Sequence, residues 1–156
     1  MEQEEIDFAD LSMQGEAASS CTMPSGDYPS IDDVINKLIW VTGFSQLDTV
    51  AGDGRVLIKF GWERNSAEAA FFTSSKKLMR VVTNAGARFP FHTIIKVTIT
   101  RDMCGFEFRS AKETVTDEDR QNLEYYTKKK KVLLSFYFLF YTNWASFSLV
   151  IKQVIF

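Results

Sequence analysis

Thr93-Ile94-Ile95-Lys96-Val97-Thr98-Ile99-Thr100 decides the fold. Ile95, Val97 and Ile99 fall on one side of an extended chain, and Ile94, Lys96 and Thr98 on the other. β-branched residues suit a pleated, half-buried surface. Arg101-Asp102-Met103 then turns the chain, and Cys104 to Arg109 returns as a second strand. The pair predicts a β-hairpin.

Upstream, Arg55-Val56-Leu57-Ile58-Lys59-Phe60-Gly61-Trp62 alternates in the same way. Val56, Ile58, Phe60 and Trp62 share one face, and Arg55, Leu57 and Lys59 the other, which predicts a half-buried strand. Between these strands, Asn65 with Glu68 signals a helix start. Phe71, Leu78, Val82 and Ala85 make an apolar stripe that predicts a long helix over 65–86, with a weak point at Thr73-Ser74-Ser75. Further upstream, Ser30 and Asp33 form a capping-box pattern. Ile31, Val34, Ile35, Leu38 and Ile39 follow at helical spacing, and Gly43 stands ready to end that helix. Downstream, Thr116-Asp117-Glu118-Asp119 caps a last helix through about Thr127. The expected class is α+β: a helix followed by a β-α-β-β-α module over 30–127, with a small antiparallel sheet covered by helices.

The element order and Gly105-Phe106-Glu107-Phe108 resemble the RNA-recognition motif over roughly residues 55–127. That family stacks bases on aromatic residues of its third strand. The resemblance implies a single-stranded nucleic-acid binder using Phe106 and Phe108, and that reading takes its charge from Arg55, Lys59, Lys96 and Arg109 and from the run Lys128–Lys131. Cys104 stands where the family has a base, and Phe60-Gly61-Trp62 where its first strand usually ends in Asn-Leu. Phe106 and Phe108 also share a face, so the other reading packs both into a core against helix 65–86.

Charge divides the chain. Residues 1–36 carry nine acids and no Lys or Arg, leaving 11 acids and all 18 bases for the rest. Apart from the run Lys128–Lys131 and Lys152, the remainder holds 13 bases against 11 acids, too even for a broad basic nucleic-acid face. Residues 1–29, with Ser19-Ser20, Pro24-Ser25-Gly26 and Pro29, are expected to form a disordered acidic head. Within it, Glu4-Glu5-Ile6-Asp7-Phe8-Ala9-Asp10-Leu11 alternates acids with apolar residues. Phe8 and Leu11 are three apart, so one helical turn or one extended strand can offer both to a groove on a protein partner. This spacing looks like the aromatic-x-x-aliphatic core that autophagy receptors present to ubiquitin-like modifiers. It also resembles acidic activation segments.

The residues that carry chemistry are few. Cys21, Cys104 and His92 are too few for a Cys/His zinc cage, and two Cys do not make a disulfide scaffold. No phosphate-cradling Gly loop, HExxH or GxSxG occurs, so no cofactor, no metal and no enzymatic activity are expected. His92 has no partner at a spacing that would make it catalytic, and Asp102 and Glu107 beside Cys104 do not favour a thiolate. Asp117, Glu118 and Asp119 are read as stabilising a helix start. The first residues lack the pattern of a secretory leader, so none is expected. The expectation is a non-enzymatic interaction or regulatory module inside the cell, cytoplasmic or nuclear.

Residues 128–156 are the Lys run and a Phe-rich tail. Val132 to Ile151 lacks charge. Three readings are open: a tail-anchoring membrane span behind cytosolic lysines, a β-hairpin turning at Thr142-Asn143, or an unselected extension. In the third, Lys131-Val132 marks a splice donor read through in frame, the tail is translated intron, and the protein is a truncated isoform of a longer one.

Overall fold

A computed structural model describes residues 5–11, 24–47, 54–85 and 88–155, with side chains as far as residue 142. A short helix α1 (Ile31–Val34) leads into strands β1 (Leu38–Leu47), β2 (Arg55–Gly61) and β3 (Ala69–Thr73). Helix α2 (Lys76–Thr83), the hairpin β4 (Phe91–Thr100) and β5 (Met103–Ser110), and helix α3 (Asp117–Ile155) follow. The class is mixed α+β. The sheet is antiparallel, in the order β3-β2-β1-β4-β5.

The hairpin forms where the sequence places it. Thr100 pairs with Met103, leaving a two-residue loop in which Arg101 and Asp102 both have positive φ, 47° and 63°. That is the geometry that matches strand twist.

Two expected helices are corrected. The helix begun at Ser30 stops at Val34, although the Asp33 carboxylate accepts the Ser30 N–H at 3.1 Å as a capping box requires. Asn36 turns left-handed (φ 61°), its N–H donates to the Ile95 carbonyl at 2.8 Å, and its amide donates to the Asp119 carbonyl. Leu38 onward then becomes the central strand, because the β-branched and aromatic run finds edges to pair with on both sides. Gly43 ends no helix; it stands beside the bulge at Thr42. The expected helix 65–86 breaks at Thr73-Ser74-Ser75: its first half is β3, paired with β2, and only Lys76–Thr83 is helical. A hairpin of β2 and β3 therefore replaces the β-α-β order, and the likeness to the RNA-recognition motif does not extend to the topology.

One face of the sheet carries Val41, Phe44, Ile58, Phe60, Phe91 and Ile95, each 2% exposed or less. Helix α2 lies against β1 and β5 and buries Leu78 and Val82. The other face is not simply solvated: Leu57 (0%) and Lys59 (4%) are buried too, so β2 is buried on both faces rather than one.

The head is ordered in part. Residues 5–11 form a bridge and a single 3-10 turn, Phe8–Asp10. The Ala70 N–H donates to the Asp27 carbonyl, and a Cβ on Gly26 would clash with the Glu68 carbonyl. The expectation of disorder elsewhere, at residues 1–4 and 12–23, lies outside the described residues.

The chain divides into two compact units, 1–123 and 124–156. In the second, the helix continues past Thr127, so of the three readings of the tail the β-hairpin is not met: the stretch is helical. Backbone bonds within one segment need no partner strand, whereas a hairpin needs a sheet edge to join. Among the described residues no helix is long and apolar enough to cross a membrane.

Candidate functional site

The site begins where β5 ends. Ser110 pairs with Thr93, and the β4–β5 ladder goes no further. β4 itself continues back through His92 and Phe91, so its outer side is open to another segment there. Residues 6 and 7 take that position in parallel register, with Asp7 bridging to His92 and the His92 N–H donating to the Ile6 carbonyl at 2.8 Å.

Asp7 is the anchor, 5% exposed. One carboxylate oxygen accepts the Ser110 hydroxyl at 3.1 Å and the Ala111 N–H at 3.0 Å. The other accepts the Ala9 N–H at 2.9 Å and starts the 3-10 turn. Bonds of this kind to a charged acceptor are stronger than neutral ones. The turn closes with the Leu11 N–H on the Phe8 carbonyl, which brings residues 8 and 11 to one side. The Phe8 ring then sits 6.4 Å from Phe91 and 5.8 Å from Phe108, and Leu11 is buried. Arg88 donates to the Asp10 carbonyl at 3.0 Å. Phe8 and Leu11, expected to face a partner, are thus seated in a groove of the chain's own sheet.

Next to the groove, His92 stacks on Trp40 with centroids 4.0 Å apart, and the Arg64 guanidinium lies over the Trp40 ring at 5.7 Å. Glu5 reaches Arg64 at 3.9 Å. His92 Nε2 is buried without a hydrogen-bond partner. Burial pulls the imidazole below its ordinary range, and the nearby Glu5 and Asp7 carboxylates offset only part of that. His92 is therefore a stacking surface for Trp40, with its backbone serving the groove.

A second concavity, an open cleft of about 790 Å³, lies among β4, β5 and the first turns of α3. Lys96 contacts Asp119 at 2.9 Å and Glu113 at 3.2 Å. Burial pulls the Lys96 ammonium down, but the hydrogen bonds and charges of Asp119 and Glu113 outweigh it and hold the ammonium above its usual range. Burial pushes the Asp119 carboxyl up, but the Thr116 N–H, Lys96 and the Thr116 hydroxyl hold it below. Arg109 and Lys77 both pair with Glu107. The cleft's cations Lys77, Lys96 and Arg109 are paired with its acids, and the Lys96–Asp119 pair ties the start of α3 to the sheet.

The candidate nucleic-acid residues are not assembled into one surface. Phe108 is 3% exposed and faces the core and the Phe8 ring, and Phe106 is half-buried on the same side. Lys96 and Arg109 point to the opposite face, because residues alternate along a strand. Lys59 is buried two strands away. Among the described residues, no group of three His, Cys, Asp or Glu is placed to hold a metal ion. Cys104 is a half-buried free thiol, and Cys21 lies outside the described residues.

Ser110, Ala111 and Arg88 escaped sequence reasoning. Asp7 meets Ser110 across 103 positions, and no local pattern announces such a pair. The alternation of acids with apolar residues around Phe8 was the one legible signal, and it indicates a docking segment without saying where it docks.

The chain belongs to a family described as a domain of unknown function (DUF8468), whose model matches residues 25–109. No curated protein and no solved structure matches the chain.

Proposed function

We propose that the chain is a non-enzymatic protein-interaction module that works inside the cell, in cytoplasm or nucleus, and that its binding surface is the groove at the end of β5. One observation carries the reading: the open side of β4 accepts residues 6 and 7 in a parallel β-bridge, followed by a 3-10 turn. Strand addition is a recurrent mode of peptide recognition, in which main-chain bonds give affinity and side-chain pockets give specificity. The cleft beside α3 speaks against chemistry and against a nucleic-acid face, since Lys96 and Arg109 are already neutralised by acids. A surface that binds nucleic acid needs cations free to displace counterions.

Arg88, exposed at the groove rim, is the position to test. With a photoreactive amino acid there, irradiation in cells should join the chain to other polypeptides as well as to its own residues 5–11. Adducts to nucleic acid alone, or to no other polypeptide, would overturn the proposal.

A further inference from the structure

Resting on that reading, we infer that the groove is specific for an acidic segment of the form Asp-Phe-x-x-Leu on a separate polypeptide, and that the chain's own Asp7-Phe8-Ala9-Asp10-Leu11 holds it closed.

Each position of the motif follows from a contact. The first must be a short carboxylate. It is buried and meets two donors from the sheet side, the Ser110 hydroxyl and the Ala111 N–H, while its second oxygen starts the turn. An amide there would turn an NH2 toward donors or give up one of these bonds. The second position is aromatic, because it completes a three-ring cluster with Phe91 and Phe108, whose rings are 5.7 Å apart and edge-on. The fifth is aliphatic and buried, brought beside the second by the 3-10 turn. The third and fourth, Ala9 and Asp10, are exposed, and Arg88 reads only the carbonyl of the fourth. Those two positions are free to vary.

The occupant is separable from the domain that binds it. Arg88, Phe91, His92 and Phe108 all fall within the family-matched residues 25–109, and residues 5–11 fall outside them. Ser110 and Ala111 follow directly after that span, so most of the groove wall belongs to the family's matched domain, and its filling is an attached segment. Because the segment and the groove belong to one chain, the segment binds with a high effective concentration that a separate polypeptide lacks. A segment of the same form on another protein must displace it, so occupancy in cis sets a threshold for binding in trans.

The test uses the full chain and a fluorescent peptide with the sequence of Glu4 to Ser12. The peptide should bind the chain carrying Phe8→Ala and Leu11→Ala at least 10-fold more tightly than the unaltered chain, because the groove has been vacated. Replacing the peptide's Asp7 by Asn should weaken binding at least 10-fold. Should the double variant fail to fold, Asp7→Asn in the full chain vacates the groove with a smaller change. Equal affinity for the unaltered and vacated chains, or an Asn peptide that binds as well as the Asp peptide, would overturn the inference. If the peptide fails to bind while position 88 still crosslinks to other polypeptides, the ligand class falls and the interaction module stands. If both fail, both fall.

Discussion

Residues 5–11 and 132–142 flank the sheet module, and both carry Phe and Leu. Their fates are opposite. Leu11 is buried and Phe8 meets two rings, whereas Phe136, Phe138 and Phe140 are 59%, 71% and 75% exposed. Hydrophobicity does not separate them, since the tail has far more of it. Pattern does. In the head, acids interleave the apolar residues, so only two side chains need burial and Asp7 fixes the register. From Val132 to Tyr141 only Ser135 interrupts the apolar run, so a helix of that stretch is apolar all round. A helix of this kind needs cover on every side, whereas an amphipathic one needs a single neighbour.

The largest effect should come from the wall that core and groove share. Phe108→Ala should cost about 3–5 kcal/mol in urea or thermal unfolding, the usual range for emptying an aromatic core site. Phe106→Ala should cost less, about 1–2 kcal/mol, because its side chain is only half-buried. Equal costs would mean that the deeper burial of Phe108 adds nothing to its packing.

Next comes the ion pair. Asp119→Ala leaves the Lys96 ammonium, with 9% of its side chain exposed, on Glu113 alone and should cost about 1–3 kcal/mol. Because the Asp119 carboxyl lies below its ordinary range when folded, its contribution is present above the unfolded value near 4 and is lost as pH falls through the folded one. Lys96 is the mirror case: its contribution is present below about 10.4 and is lost as pH rises through the raised folded value. Unfolding titrations of the variant should show a flatter pH dependence at both ends than the unaltered chain.

The hairpin and its turn were legible because β4 and β5 are local and alternate strictly. The Thr116–Asp119 cap was legible because capping is a short-range pattern. Leu38–Leu47 was not, since Leu38 and Ile39 fit a helical stripe and a strand equally well. Pairing with β2 and β4, contacts distant in sequence, decided between them. The Phe8 and Leu11 pattern was visible, but its groove is built from β4 and the end of β5, far along the chain.

Smaller effects belong to the flanks themselves. Asp7→Ala removes a buried acceptor whose bonds are worth roughly 1–3 kcal/mol each way of counting. The loss is capped by the docking energy of the head, because the segment can detach while the sheet stays folded. Limited proteolysis should therefore cut within residues 5–11 much faster in this variant, with little change in melting temperature. Ending the chain at Lys131 should change the melting temperature of the sheet module least of all, while improving solubility, since an apolar helix left in water promotes self-association. A clear drop on removing the tail would show that the module needs it.

The most direct measurement is hydrogen exchange at the His92 amide, whose bond to the Ile6 carbonyl exists only while the head is docked. In the full chain this amide should be protected, and in Phe8→Ala it should exchange much faster, while amides of the β4–β5 ladder keep their protection. An unprotected His92 amide in the unaltered chain, or equal protection in both chains, would contradict a groove closed by residues 5–11.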